Sequence, residues 1–184
     1  MLKNLIWQVK SSLKELNNVP TVSVTGMLVA LSVVLSFFTI VISNVLQISF
    51  GFLPLAVGGM LFGPVVGGIM GILSDILGYF VHPNGPFFPG FTLNALLTGT
   101  LYGFFLYKKH VTLKRVIFVS LTITLLVNMM LNPLWLSIMY GNAFFVLVIG
   151  RIVKNLLMFP INTALLYSIL KPMERIRTLE RVSG

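Results

Sequence analysis

FLPLAVGGMLFGPVVGGIMGILSDILGYFV, Phe52 to Val81, is 30 residues of almost unbroken apolar chain. About 20 apolar residues cross a bilayer as one helix, so the run is too long for one straight span and short for two. Charge parity decides between them. Basic residues favour the cytoplasmic side of a membrane, and eleven of the chain's 13 fall in three groups: Lys3, Lys10 and Lys14; Lys108, Lys109, Lys114 and Arg115; Lys171, Arg175, Arg177 and Arg181. A single span between 52 and 81 would set the middle group opposite the other two. Two short helices broken at Gly63-Pro64 return all three to the cytoplasm. Gly59, Gly63, Gly67 and Gly71 recur every four residues across that break, a spacing that lets another helix approach closely.

The composition fits the same picture. Of 184 residues, 57% are hydrophobic and 9% charged, against about 25% charged in soluble domains. This describes an all-α integral membrane protein, with length for about six short spans and no room for a soluble catalytic domain. The net charge of +9 reports topology rather than nucleic-acid binding. Without cysteine there is no disulfide framework and no thiolate metal site.

Outward from the decisive run, residues 1–19 form an N-terminal amphipathic cytoplasmic segment. Leu2, Leu5, Ile6, Val9, Leu13 and Leu16 stand near helical spacing, as in a helix lying on the membrane surface, and no small-residue cleavage site marks it as a signal peptide. Residues 20–171 form a six-helix membrane domain and 172–184 a basic cytoplasmic tail. The first span is expected over Val22–Ile42, with the small-residue pairs Gly26/Ala30 and Ser32/Ser36, suited to internal packing or to docking a partner subunit. After an uncharged loop from Asn44 to Gly51 come the two short helices, then spans over Phe88–Tyr107, Val116–Leu136 and Phe144–Leu170. Pro160 should bend the last of these and Pro172 end it.

Ionisable groups inside a span are costly and mark function. Asp75 lies near the outer end of the third span, and Arg151 and Lys154 near that of the sixth. At 1.5 Å per residue all three sit roughly 9 to 15 Å below the outer surface. Asn94, Asn128, Asn132 and Asn155 share that depth. Arg151, Lys154 and Asn155 stand at i, i+3 and i+4, on one helix face. Asp75 can pair with one of the cations, but two cations against one anion leave a positive excess that an anionic ligand would satisfy. Arg151 suits a carboxylate through two parallel hydrogen bonds. Asp75 could instead accept from a heteroaromatic ring bearing an amino group beside a ring N–H, as in a pterin.

HPNGPFFPGFTLNALLTG, His82 to Gly99, runs from an irregular turn into the fourth span. Here Phe87, Phe88 and Phe91 sit beside Asn84, Pro89, Gly90, Thr92 and Asn94. Flat rings next to amides and hydroxyls suit a planar heteroaromatic ligand. The same rings equally suit an aromatic belt at the lipid boundary.

The order of six short spans, the Gly26/Ala30 pair, SDILGYFVHPNGPFFPGFTLNALLTGTLYG from Ser74 to Gly103, and Gly150-Arg151 in the last span together resemble the substrate-binding S component of an energy-coupling factor vitamin transporter. The FFPGFTLNALLTG region most resembles the folate-specific members. The resemblance implies a bundle in the plasma membrane of a bacterium or archaeon, with both termini cytoplasmic, that captures folate from outside. It further implies assembly with one membrane scaffold subunit and two ATPases, ATP being used there, and docking through Gly26 and Ala30. Gly26 stands where the usual AxxxA pattern has alanine, and Val34 follows where a further small residue is expected. No metal or cofactor is implied for this chain.

The residues agree as far as they go. There is no G-x-x-x-x-G-K-[ST] phosphate loop and no H-E-x-x-H motif. Two other readings stay open: an S component for another nutrient such as pantothenate or a deazapurine, and an intramembrane enzyme using Asp75 and His82.

Overall fold

The computed structural model describes residues 2–38, 40–41, 47–81, 83, 86–141 and 144–183. Its helices are α1 (Leu2–Glu15), α2 (Val19–Phe37), α3 (Phe52–Phe62), α4 (Pro64–Val81), α5 (Pro89–Leu106), α6 (Leu113–Ile123), a π-helical turn (Thr124–Leu131), α7 (Asn132–Tyr140) and α8 (Phe144–Ser183). Four are long and apolar enough to cross a membrane: α2, α4, the continuous α6–π–α7 rod, and α8. The protein is thus a multi-pass, helical membrane protein. Its bundle is built around the close approach of α3, α4 and α5.

The break at Gly63-Pro64 forms as expected. Gly63 adopts φ +93°, a region side-chain-bearing residues avoid, and Pro64 opens α4 where its missing N–H costs nothing. The glycines then set the packing. A Cβ on Gly67 would come 2.5 Å from the Gly99 carbonyl oxygen, one on Gly71 would overlap the Ala95 carbonyl, and one on Gly103 would overlap Pro64. Backbone therefore lies on backbone, in antiparallel register. Around this contact lie Met60, Val66, Met70, Tyr102 and Leu106, all 3% exposed or less.

Ser12 of α1 reaches into the same break. Its hydroxyl donates to the Phe62 carbonyl at 2.7 Å and accepts from the amides of Val65 and Val66 at 3.1 and 3.2 Å. Those amides open α4 and have no partner within their own helix, so Ser12 caps α4 from another segment. Glu15 accepts from Thr21 and from the Tyr107 hydroxyl.

Three expectations need correction. The first span is expected to reach Ile42, but α2 closes at Phe37, and Ile40–Val41 instead pairs antiparallel with Gln47–Ile48. Ser32 on α2 donates to the Gly51 carbonyl at 2.5 Å, drawing the chain back toward α3; residue 42 of the expected span and residues 44–46 of the expected loop lie outside the described residues. Pro172 does not end the last helix, which continues through both Pro160 and Pro172 to Ser183 and so crosses the boundary expected at 171–172. The turn around Pro172 is held from outside: Glu174 accepts from the Val111 amide, Lys171 and His110, and Lys171 also donates to the Val111 carbonyl. Finally, the fifth span is not α-helical throughout. The Asn132 amide reaches back to the Val127 carbonyl, and this wider turn accommodates Pro133, whose ring would crowd the preceding α-turn.

Gly99→Ala should destabilise the bundle by about 3 kcal/mol, the upper range for overpacking a core, because backbone rather than a flexible side chain must move. A lowered thermal midpoint in detergent checks this; an unchanged midpoint would show that α4 and α5 can separate freely.

Candidate functional site

The face predicted on the last helix is formed. Arg151, Lys154, Asn155, Met158 and Asn162 of α8 line one wall of a cavity of about 240 Å³, Asn128 of the π turn and Asn132 of α7 line another, and Ser49 and Phe52 at the start of α3 close it. Asn128 and Asn132 stand at i and i+4 and so share one side of the rod. Asn128 also borders a second cavity of about 210 Å³, which shares Phe52 and Asn162 and is lined further by Thr98, Tyr102, Ser120 and Thr124.

An amide chain orients the first cavity. Trp135 Nε1 donates to Asn94 Oδ1 at 3.0 Å, Asn94 Nδ2 to Asn132 Oδ1 at 3.1 Å, and Asn132 Nδ2 to Asn128 Oδ1 at 3.4 Å. Each donor defines the next acceptor, so the four side chains are fixed as a set. By contrast, Arg151 and Lys154 form no ion pair or hydrogen bond among the described residues. Asn155 Nδ2 and Asn162 Oδ1 are buried without a partner among the described residues. Two cations and two orphaned amide atoms around one space are chemically suited to a guest that is anionic and rich in hydrogen-bonding groups.

Of the residues expected to converge, Asn128, Asn132, Arg151, Lys154 and Asn155 do so directly, and Asn94 stands one hydrogen bond behind them. Asp75 does not join them. Its Oδ2 accepts from Thr92 Oγ1 at 2.7 Å, it is no part of either cavity wall, and the possible pairing with Arg151 or Lys154 is not formed among the described residues. Phe88 packs against Trp135 and Phe91, with ring centroids 5.8 and 6.1 Å apart, while Phe87 turns to Tyr79 at 5.2 Å. Gly90 is buried where a Cβ would press on the Phe88 and Trp135 rings, and Pro89 opens α5. Asn84 and His82 lie outside the described residues.

Sequence reading missed Ser49, Phe52, Met158 and Asn162. Asn162 was within reach, because it stands at i+7 from Asn155 and i+11 from Arg151 and so extends the same helix face. Ser49 and Phe52 carried no such signal. On α2, Gly26 and Ala30 are exposed, and a Cβ at Gly26 would meet nothing within 4 Å. This small-residue face is free of the bundle's own packing.

The bundle thus carries a charged cavity and, on α2, a small-residue face free of its own packing. Residues 21–170 match the family described as ECF transporter, substrate-specific component, and the chain belongs to that family. It is 40% identical over 156 residues to the folate transporter FolT of Clostridium novyi (strain NT), covering 85% of this chain and 91% of that one. It is 34% identical over 151 residues to the folate transporter FolT of Leuconostoc mesenteroides subsp. mesenteroides, covering 79% and 81%. Among solved structures it resembles a crystal structure of FolT bound with folic acid, with TM-score 0.74 and 42% identity over 82% of this chain and 92% of that one. The family consists of transport subunits that bind substrate, not enzymes.

Trp135→Phe removes the donor that orients Asn94 while keeping the ring contacts. A loss of about 1 kcal/mol in stability is expected, the usual worth of one such bond, read as a lower thermal midpoint. No change would mean that the amide chain is oriented without Trp135.

Proposed function

We propose that this chain is the folate-binding subunit of an energy-coupling factor transporter. Its site is the cavity under Arg151 and Lys154. The observation that carries the reading is the pair of unpartnered cations in a space walled by fixed amides. A folate has carboxylates at one end and a flat, hydrogen-bonding ring at the other. Arg151 would take a carboxylate in two parallel hydrogen bonds, with Lys154 as a second charge, while Asn128, Asn132 and Asn155 supply neutral donors and acceptors. The Phe88, Phe91 and Trp135 cluster backs the amide chain through Asn94. Phe87, Pro89, Gly90, Thr92 and Asp75 line neither cavity and serve the site from the turn before α5 and its first residues; Asn84 is a further ligand contact in this proposal. The kinship with FolT proteins at 40% and 34% identity supports the choice of folate over pantothenate or a deazapurine.

In this reading α2, α3, α4, α5, the α6–π–α7 rod and α8 are six spans, with α1 at the cytoplasmic surface and both termini cytoplasmic, in the plasma membrane of a bacterium or archaeon. Residues 1–19, 20–171 and 172–184 then serve as surface segment, membrane domain and basic tail. Capture takes place from outside. The energy for release comes from a partner module of one membrane scaffold subunit and two ATPases, which dock on the free face at Gly26 and Ala30. The chain itself needs no metal or cofactor.

Titration of the purified chain with folate, challenged with pantothenate and riboflavin, tests the reading; saturable binding that only folates compete for is expected. Arg151→Ala should weaken folate binding at least tenfold, about 1.4 kcal/mol, with helicity unchanged. Near-wild-type affinity would remove Arg151 from the site. Ala30→Leu should leave binding intact yet abolish uptake by the assembled transporter, and parallel loss of both would contradict a docking role.

A further inference from the structure

Helix α1 is packed inside out for a water-facing element. Its buried residues are polar, Gln8 at 6% exposure and Ser12 at 0%, while Ile6, Trp7 and Leu13 are 53%, 53% and 48% exposed. The reason is the bundle it serves: Ser12 must reach the orphan amides of α4 and Glu15 the Tyr107 hydroxyl. The apolar side is thereby turned outward. At 100° per residue that outer face has two flanks, Ile6 and Leu13 on one and Lys10, Lys14 and Trp7 on the other.

A third ammonium joins the basic flank. Lys108, two residues past the end of α5, holds its Nζ 4.8 Å from the Trp7 ring centre, 5.0 Å from that of Tyr107, and 3.3 Å from Ser11 Oγ. It does so at φ +52°. Ser11 and Lys14 lie on the same side of α1 as Trp7, and none of Lys10, Lys14 and Lys108 has a carboxylate partner among the described residues. The location is fixed by the chain. Only residues 16–18 separate α1 from α2, whose first turns expose Val19 and Val22 at 76% and 51%, so α1 lies at the edge of the hydrocarbon.

From this geometry we infer that the outer face of α1, with Lys108, is a binding site for an anionic phospholipid of the leaflet it faces. The phosphate sits among Lys10, Lys14 and Lys108, and the acyl chains lie along Ile6 and Leu13. Charge complementarity selects an anionic headgroup, and the adjoining apolar flank selects a lipid over a free anion. The indole of Trp7 stands at the boundary between them, where such rings are favoured. The site is independent of the vitamin cavity and of the α2 docking face.

The test uses the full chain in neutral detergent. Phosphatidylglycerol should raise its thermal midpoint by about 4 °C, by linkage of binding to folding, and phosphatidylcholine with the same acyl chains by less than half as much. Lys10→Gln with Lys14→Gln should reduce the phosphatidylglycerol response to the phosphatidylcholine level without altering the lipid-free midpoint or folate affinity, and Lys10→Arg with Lys14→Arg should retain it. Equal responses to the two lipids, or a full response in the Gln variant, would overturn the site. An equal rise with inorganic phosphate alone would assign it to a free anion instead. Should the Gln variant keep its lipid response and lose co-purification with the scaffold and ATPases, the surface belongs to a protein partner and the lipid assignment fails.

Discussion

The contact of bare backbone between α4 and α5 governs the rest of the molecule. Pro64 meets Gly103, Gly67 meets Gly99, and Gly71 meets Ala95, so each turn of one helix is matched by a turn of the other. Lipid supplies little hydrophobic drive for helices to associate, and close van der Waals packing must serve in its place. Small residues permit it. The same register carries one step further to Asp75 and Thr92, which close the row with a hydrogen bond. An ionisable group in the membrane is thus absorbed by the seam that organises the fold.

That seam uses α3, α4 and α5, while the charged wall of the first cavity comes from α8 and the rod, with Ser49 and Phe52 added from the α3 end. Arg151, Lys154 and Asn155 project from α8 toward the rod of α6, the π turn and α7. The rod is wound differently from its neighbours for a local reason, Pro133, and Asn128 within the wider turn borders both cavities. The glycine seam keeps its three helices close, while the amide chain from Trp135 to Asn128 orients the polar wall without using either cation.

At the opposite end, scarce acidic residues act as clasps. Glu15 joins α1 to α2 and to Tyr107, and Glu174 joins α8 to the turn at His110 and Val111. Neither faces the cavity. With Glu15, Asp75 and Glu174 committed elsewhere, Arg151 and Lys154 have no counter-ion among the described residues, an arrangement that favours an anionic guest.

The sequence by itself determined the membrane class, the break at Gly63-Pro64, the glycine spacing and the shared face of Arg151, Lys154 and Asn155. Each of these rests on a rule readable from the chain alone: apolar length, the placing of basic residues, the absent N–H of proline, or the helical repeat. Only the tertiary structure decided which way each helix is rotated and what closes its ends. Asp75 shares the α5-facing row of Gly67 and Gly71, so it meets Thr92 rather than Arg151 or Lys154. Helix α8 passes Pro172 because Glu174 and Lys171 are anchored to Val111, a contact between residues some 60 positions apart. Ser12 caps α4 across a similar distance in the chain, turning the apolar side of α1 outward. Such pairings depend on partners that no local pattern names, whereas spacing along one helix is written in the chain itself.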